Sequence, residues 1–419
     1  MIGPPPSQTM PAPDPAVNQR LHALDGLRGI AALVVLICHS FLLKTELALA
    51  YLNPAAIESG TIWWWAAFSP LHVLWAGTEA VYLFFILSGY VLTLPFARGT
   101  DRGWIGYFPK RLIRLYVPVW GAFALAVMWI NVLPRRFAEG TNGWLQAHQP
   151  ELTGSMVRSD LLLFPYPGFS NSALWTLRYE VMFSMLLPIY VLVGIRFPKL
   201  NLLKAVGLMG AIVYFSEFQS SFRFYLPMFG LGVLMAVEHE RLAKLGAAIH
   251  NLRYSKWVWA GLSIAALLML NSYWTVRGLN RDINTLAFQL RTALVLMMLG
   301  GCLLIFVAVQ CSERSWLATR PARWLGTRSF SLYLVHEPIV VSTAVLLGAG
   351  YNPALAMAVA ISVSLVIAEL FHRVIERPSQ RLGKAVERKI GSRRRQPEPA
   401  KRVPPPPEPV VAGRAPSGV

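Results

Sequence analysis

The chain has 419 residues, of which 55% are hydrophobic and only 14% charged, with a mean hydropathy of +0.46 and a formal net charge of +18. A soluble domain carries roughly 25% charged residues, so this composition excludes a soluble enzyme, and a disordered or fibrous chain could not be so apolar. What remains is a polytopic membrane protein, and the positive charge then reads as basic cytoplasmic loops and a basic tail rather than as a nucleic-acid footprint.

In chain order, residues 1–20 are rich in Pro, Ser and Gln and lack a basic-then-apolar start. They read as a disordered cytoplasmic lead rather than a signal peptide. Ten apolar helices are expected at 27–43, 74–95, 115–133, 174–194, 203–218, 222–238, 256–273, 289–310, 329–348 and 353–372, each near the roughly 20 residues that cross a hydrocarbon core. The cluster Trp63-Trp64-Trp65 suggests a further short membrane-surface helix over 62–76. Lys and Arg concentrate in the even-numbered loops: Arg98, Arg102, Lys110, Arg111 and Arg114, then Arg196, Lys199 and Lys204, then Arg241, Lys244, Arg253 and Lys256, then Arg314, Arg320, Arg323 and Arg328. The positive-inside rule puts both termini in the cytoplasm, as an even number of spans requires. The loop over 134–173 lies outside and is a natural place for substrate or a lid. The division is thus a lead over 1–20, an all-α membrane domain over 21–380, and a basic, Pro-rich, disordered cytoplasmic tail over 381–419.

Ionisable residues at membrane depth are costly and mark candidate sites. Arg28 and His39 are 11 positions apart, so they share one helix face and differ in depth by about 16 Å. A cation at the cytoplasmic mouth and a base deep inside suit a ligand with an anionic head, a thin arm and a reactive far end, as in acyl-CoA. Glu180, seven residues beyond Ala173, is expected at the depth of His39, where it could orient that ring or bind a sugar hydroxyl. Arg111 and Arg114 form one basic face suited to phosphate. His336 lies near mid-depth, just before the helix-breaking Pro338. His22, His72, His148, His239, His250 and His372 read as solvated. Cys38, Cys302 and Cys311 have no disulfide or metal spacing, and no His/Asp/Glu set has zinc spacing. Ser88 reads as a helix-packing residue beside Gly89.

Several segments, taken together and in order, resemble acyltransferase family 3, the bacterial multi-pass O-acyltransferases. They are the opening Leu24–His39 with its Arg-x10-His pattern, Val81–Gly89, Lys110–Pro118, Leu174–Glu180, Tyr333–Pro338 and Ile375-Glu376-Arg377-Pro378. The likeness covers about 20–380. Two departures stand out: Tyr82 occupies a place where an acidic residue is common, with Glu79 one turn earlier, and Thr176 stands where Ser is usual. The extracytoplasmic esterase-like domain of some relatives is not expected here.

The resemblance implies acyl transfer, acetyl in the simplest case, from cytoplasmic acyl-CoA to a hydroxyl of a carbohydrate or lipid-linked glycan at the outer face of the inner (plasma) membrane. Acyl-CoA is then a co-substrate, and no permanently bound cofactor or metal is implied. His39 would be the general base, with Glu180 and His336 orienting it or the acceptor. Arg28, Arg111 and Arg114 would lie near the donor phosphates, with Trp175 and Tyr179 on the substrate. The rival from a different class is a transporter or flippase for a glycan or lipid-linked sugar. Buried Arg, His and Glu would suit it, but the sequence shows no inverted repeat.

Overall fold

A computed structural model describes residues 22–99, 103–137, 141–148, 151–218, 221–279, 283–311, 315–348 and 350–394. The expected disordered stretches at 1–20 and 396–419 lie outside these residues, as do Arg102 and Arg314 of the basic loops. Among the described residues the chain is all helix and turn, without strands. The helices are α1 His22–Phe41, α2 Thr45–Leu52, α3 Ile62–Phe68, α4 Gly77–Ala97, α5 Trp104–Val132, α6 Gly143–Gln146, α7 Gly154–Leu162, α8 Leu174–Ile195, α9 Asn201–Tyr214, α10 Phe222–Val237, α11 His239–His250, α12 Ser255–Leu270, α13 Ser272–Leu279, α14 Ile283–Gln310, α15 Arg320–Leu347, α16 Pro353–Phe371 and α17 Arg377–Arg394.

The chain is a polytopic membrane protein. Eight helices among the described residues are long and apolar enough to cross a membrane, and a bent pair makes a possible ninth. The expectation of ten full spans is corrected at two places. α10 has only 16 residues, about 24 Å at the helical rise and short of a roughly 30 Å core; it is almost wholly buried among its neighbours. The seventh expected span, 256–273, breaks between α12 and α13 with a 57° bend. Asn271 sits at that break and donates from Nδ2 to the Ser69 carbonyl at 2.9 Å. The Trp-rich stretch does form the short helix α3. The segment from 381, expected to be disordered, is helical through Arg394. It packs along α5, where Lys110 pairs with Glu387 at 2.9 Å. The hinge from α16 into α17 is a π-turn over His372–Glu376.

α15 is the axis of the bundle: 78% of its most apolar window is buried, against 11% for the span containing α9. α9 instead turns Leu202, Leu203 and Val206 outward, as a lipid-facing helix does. α15 runs parallel to α1 and touches it at backbone distance. A Cβ on Gly29 would sit 2.9 Å from Gly326 Cα, and one on Gly326 would overlap the Asp25 carbonyl oxygen. Only hydrogen fits at both positions, and such small residues let membrane helices close on each other by van der Waals contact. Ten residues further along each helix stand His39 and His336.

Candidate active site

Two polar centres sit at opposite ends of the α1–α15 pair. At the α1 N-terminal end, a cavity of about 100 Å³ is lined by Arg28, Arg111, Arg114, Glu180, Ser329 and Tyr333 among others. Arg111 donates from Nη2 to Glu180 Oε1 at 2.5 Å and from Nε to Ser184 Oγ at 3.0 Å. Neither Arg28 nor Arg114 donates a hydrogen bond to another described residue. The cavity therefore holds three guanidinium groups against one carboxylate that is already engaged, which is the electrostatics of an anion site. Its wall includes Tyr333, whose hydroxyl bonds Thr176 Oγ1 at 2.8 Å. That tyrosine lies one helical turn before His336.

At the other end, His39 Nδ1 and His336 Nε2 are 2.8 Å apart. The partners of His336 decide which nitrogen carries the proton. Its Nδ1 faces the carbonyls of Tyr333 at 2.8 Å and Leu332 at 3.1 Å, and a carbonyl can only accept, so Nδ1 carries hydrogen. In the neutral ring Nε2 is then an acceptor. His39 must donate from Nδ1, which leaves His39 Nε2 with a bare lone pair. Trp144 stacks on the His39 ring, with centroids 5.8 Å apart and planes 25° apart.

The backbone around His336 is held from the loop before α8. Pro338 has no N–H to close a helical bond to the Leu334 carbonyl. Asn171 supplies one instead, donating from Nδ2 to Leu334 O at 2.6 Å. Asn171 is placed in turn by the buried Asp160, whose carboxylate accepts from the backbone of Gly168 at 2.6 Å, Phe169 at 3.1 Å and Ser170 at 2.7 Å. Arg135 donates to the Ser170 carbonyl at 2.6 Å; burial lowers its pKa from the ordinary arginine value.

Several sequence expectations are corrected. Glu180 does not accompany His39; it lies with Arg28 and Arg111 at the other centre, because α8 descends beside α5 and offers Glu180 to Arg111. Trp175 and Tyr179 do not line that cavity. They join an aromatic cluster in which Tyr225 is 5.1 Å from the Trp175 ring and 4.6 Å from that of Tyr179. His148, read as solvated, is half-buried and partnered: its Nε2 lies 2.6 Å from Glu337 Oε1, and its Nδ1 bonds the Trp144 carbonyl at 3.0 Å. His72, also read as solvated, is buried between the rings of Trp75 and Trp274, at 4.4 Å from each. Sequence reasoning passed over Trp144, His148, Asn171 and Glu337. The available signal was Glu337 itself, a carboxylate inside an apolar helix that needs a partner. No group of three or more His, Cys, Asp or Glu able to hold a metal occurs among the described residues.

The acyltransferase-domain family model matches residues 21–373. Peptidoglycan O-acetyltransferase OatA of Listeria monocytogenes serovar 1/2a is 25% identical over 363 residues, covering 75% of this chain and 53% of that protein. YrhL of Bacillus subtilis (strain 168) is 24% identical over 361 residues, covering 75% and 52%. The chain thus spans about half the length of these two relatives. Acyltransferase MdmB of Streptomyces mycarofaciens is 27% identical over 407 residues, covering 87% of this chain and 92% of its own. No solved structure matches. A bundle whose first helix carries Arg28 into an arginine-lined cavity and His39 into a hydrogen-bonded histidine pair, matched over 21–373, places the chain in acyltransferase family 3.

Proposed function

We propose that the protein is a membrane O-acyltransferase that moves an acyl group, acetyl in the simplest case, from acyl-CoA to a hydroxyl of a carbohydrate. The observation that carries this reading is the His39–His336 hydrogen bond, with Nε2 of His39 left as a free base. The names of two relatives, a peptidoglycan O-acetyltransferase and an acyltransferase, support it.

Arg28 and Arg114 hold the anionic head of acyl-CoA at the cytoplasmic end, while Glu180 and Ser184 keep Arg111 in place. The thin arm runs past Tyr333 toward His39, a rise of about 16 Å along α1. His39 Nε2 takes the proton of the acceptor hydroxyl as its oxygen attacks the thioester carbon. The C–S bond breaks, the CoA sulfur takes that proton, and the ester leaves on the glycan. His336 accepts from His39 Nδ1 throughout, so the base keeps the tautomer it needs. The acceptor meets His39 from the outer face of the plasma membrane.

The test adds labelled acetyl-CoA to membranes containing the wild-type protein or His39→Ala, with the host's glycans present. Label in the glycan fraction and free CoA are both followed. Transfer by wild type and none by His39→Ala is expected. Equal transfer by the variant overturns the role of His39, and glycan movement without CoA release overturns the transferase reading in favour of a carrier.

A further inference from the structure

A second cavity, of about 240 Å³, opens at the His39 end of the bundle and takes no part in the chemistry above. Its wall includes Tyr51 of α2, Glu79 and Tyr82 of α4, and Tyr273, Trp274 and Arg277 of α13. Glu79 is only 3% exposed. Its Oε1 accepts from the Trp274 indole N–H at 2.7 Å, but its Oε2 is buried with no hydrogen-bond partner. Arg277 does not pair with it; the bond of Arg277 is a long one, 3.4 Å from Nη1 to the Tyr273 hydroxyl. Glu79, with one buried oxygen unpartnered, and an under-used cation thus line one space together with aromatic rings. A few convergent polar groups among aromatic walls are the usual make-up of a small-molecule site.

These features select a chemistry. An ion of either sign would meet a like charge in Glu79 or Arg277. A purely apolar ligand would leave Glu79 Oε2 bare. A neutral sugar ring satisfies both: its hydroxyls donate to the carboxylate and accept from the guanidinium, and its C–H face lies on the aromatic rings. Dry cavities of about 150 Å³ already admit a benzene ring, so this one has room for a pyranose.

The cavity is also tied to the reacting centre. Tyr51 on its wall bonds Cys38 Sγ at 3.4 Å, and Gly77 packs against the same sulfur. His39 is the next residue of α1, turned about 100° away. The two sites thus flank one turn of one helix, about 10 Å apart and the length of about two linked sugars. α1 ends at Phe41, so both sites lie at the same end of the bundle.

We propose that this cavity is a subsite for a second sugar ring of the acceptor, so that the acceptor is an oligosaccharide or glycan strand rather than a single sugar. The proposal rests on the carbohydrate reading given above. It adds Glu79, Trp274 and Arg277 as binding residues remote from the transferred group.

The test uses the full chain in lipid nanodiscs without acyl-CoA, which separates binding from transfer. The probes are N-acetylglucosamine and its β-1,4-linked dimer and tetramer, together with muramidase-released peptidoglycan fragments, titrated calorimetrically. The largest of these should bind wild type about tenfold or more tighter than the monomer, and Glu79→Gln, Trp274→Phe and Arg277→Ala should each remove about tenfold of that gain. Arg277→Ala guards against misfolding, since its side chain is half-exposed and makes one weak bond. Binding that is absent, independent of length, or unchanged in all three variants overturns the subsite. Length-dependent binding without any acyl transfer would sink the transferase reading and leave the subsite standing. His39-dependent transfer with inert Glu79, Trp274 and Arg277 variants would do the reverse.

Discussion

Gly326→Ala tests whether the contact of α1 with α15 sets the histidine pair. The added methyl would overlap the Asp25 carbonyl oxygen and lie 3.1 Å from Gly26 N. Both are backbone atoms of α1 that no rotamer change can move. Ordinary contact returns only if the helices separate by about 1 Å, because a close-packed interior has no slack to absorb a methyl. α15 is buried along most of its length, so it shifts as a body rather than tilting. His39 Nδ1 and His336 Nε2 are 2.8 Å apart, and an added distance of about 1 Å takes the pair beyond hydrogen-bond reach. The overpacking should cost about 1–3 kcal/mol of stability, and misplacing the base by that amount should cost about 10²-fold in kcat. Melting in detergent and initial rates of label transfer from acetyl-CoA read the two effects. Gly261→Ala is the control: it lies on α12 with nothing within 4 Å of its added Cβ, so alanine's helix propensity should leave stability equal or slightly higher. A Gly326→Ala protein with the wild-type rate and melting temperature would refute the argument that glycine contact places the histidines.

Other substitutions probe the remaining parts. Asn171→Leu leaves the Leu334 carbonyl without a donor beside Pro338, which should cost about 1–3 kcal/mol in thermal unfolding and lower kcat; a silent variant would show that Asn171 does not hold this backbone. Arg28→Ala should raise the KM for acyl-CoA by about tenfold with a smaller change in kcat, and an unchanged KM would remove Arg28 from the donor site. Burial pushes the His72 imidazole down to about 3, so the ring stays neutral in the fold while the unfolded chain takes up a proton below about pH 6.5. Stability present above that pH should fall by about 1.4 kcal/mol per unit as the pH drops from 6.5 toward 3. His72→Phe should flatten that part of the melting-against-pH curve, and a curve as steep as wild type would place the acid sensitivity elsewhere.

The helices and their order were legible in the sequence because apolar length is a local property. The failures came where length and depth diverge. α10 looked like a span from its hydropathy, yet its neighbours bury it and it needs no lipid-facing length. The break at Asn271 depends on a carbonyl more than 200 positions away, Ser69 O, which no window around 256–273 contains. The helix through Arg394 was hidden by its charge. A sequence with mean polarity this high reads as tail, and its order comes from packing on α5 and from pairs such as Lys110 with Glu387.

The site shows the same division more sharply. Helix periodicity put Arg28 and His39 on one face of α1 because both belong to one element, and the structure places them at the two centres joined by that face. Equal depth alone joins Glu180 to His39 in the sequence, but the structure separates them, since depth fixes one coordinate while the partner depends on which helix stands alongside. α5 stands beside α8, so Glu180 meets Arg111. α15 lies closest to α1, so His39 meets His336. Neighbouring residues can even serve different partners. Turned about 100° from each other, His336 faces His39 while Glu337 faces His148. A buried carboxylate beside a functional histidine is therefore better read as a demand for a partner from a distant loop than as part of the histidine's own apparatus. Here that demand is met by the segment carrying Trp144 and His148, which also stacks Trp144 on the His39 ring.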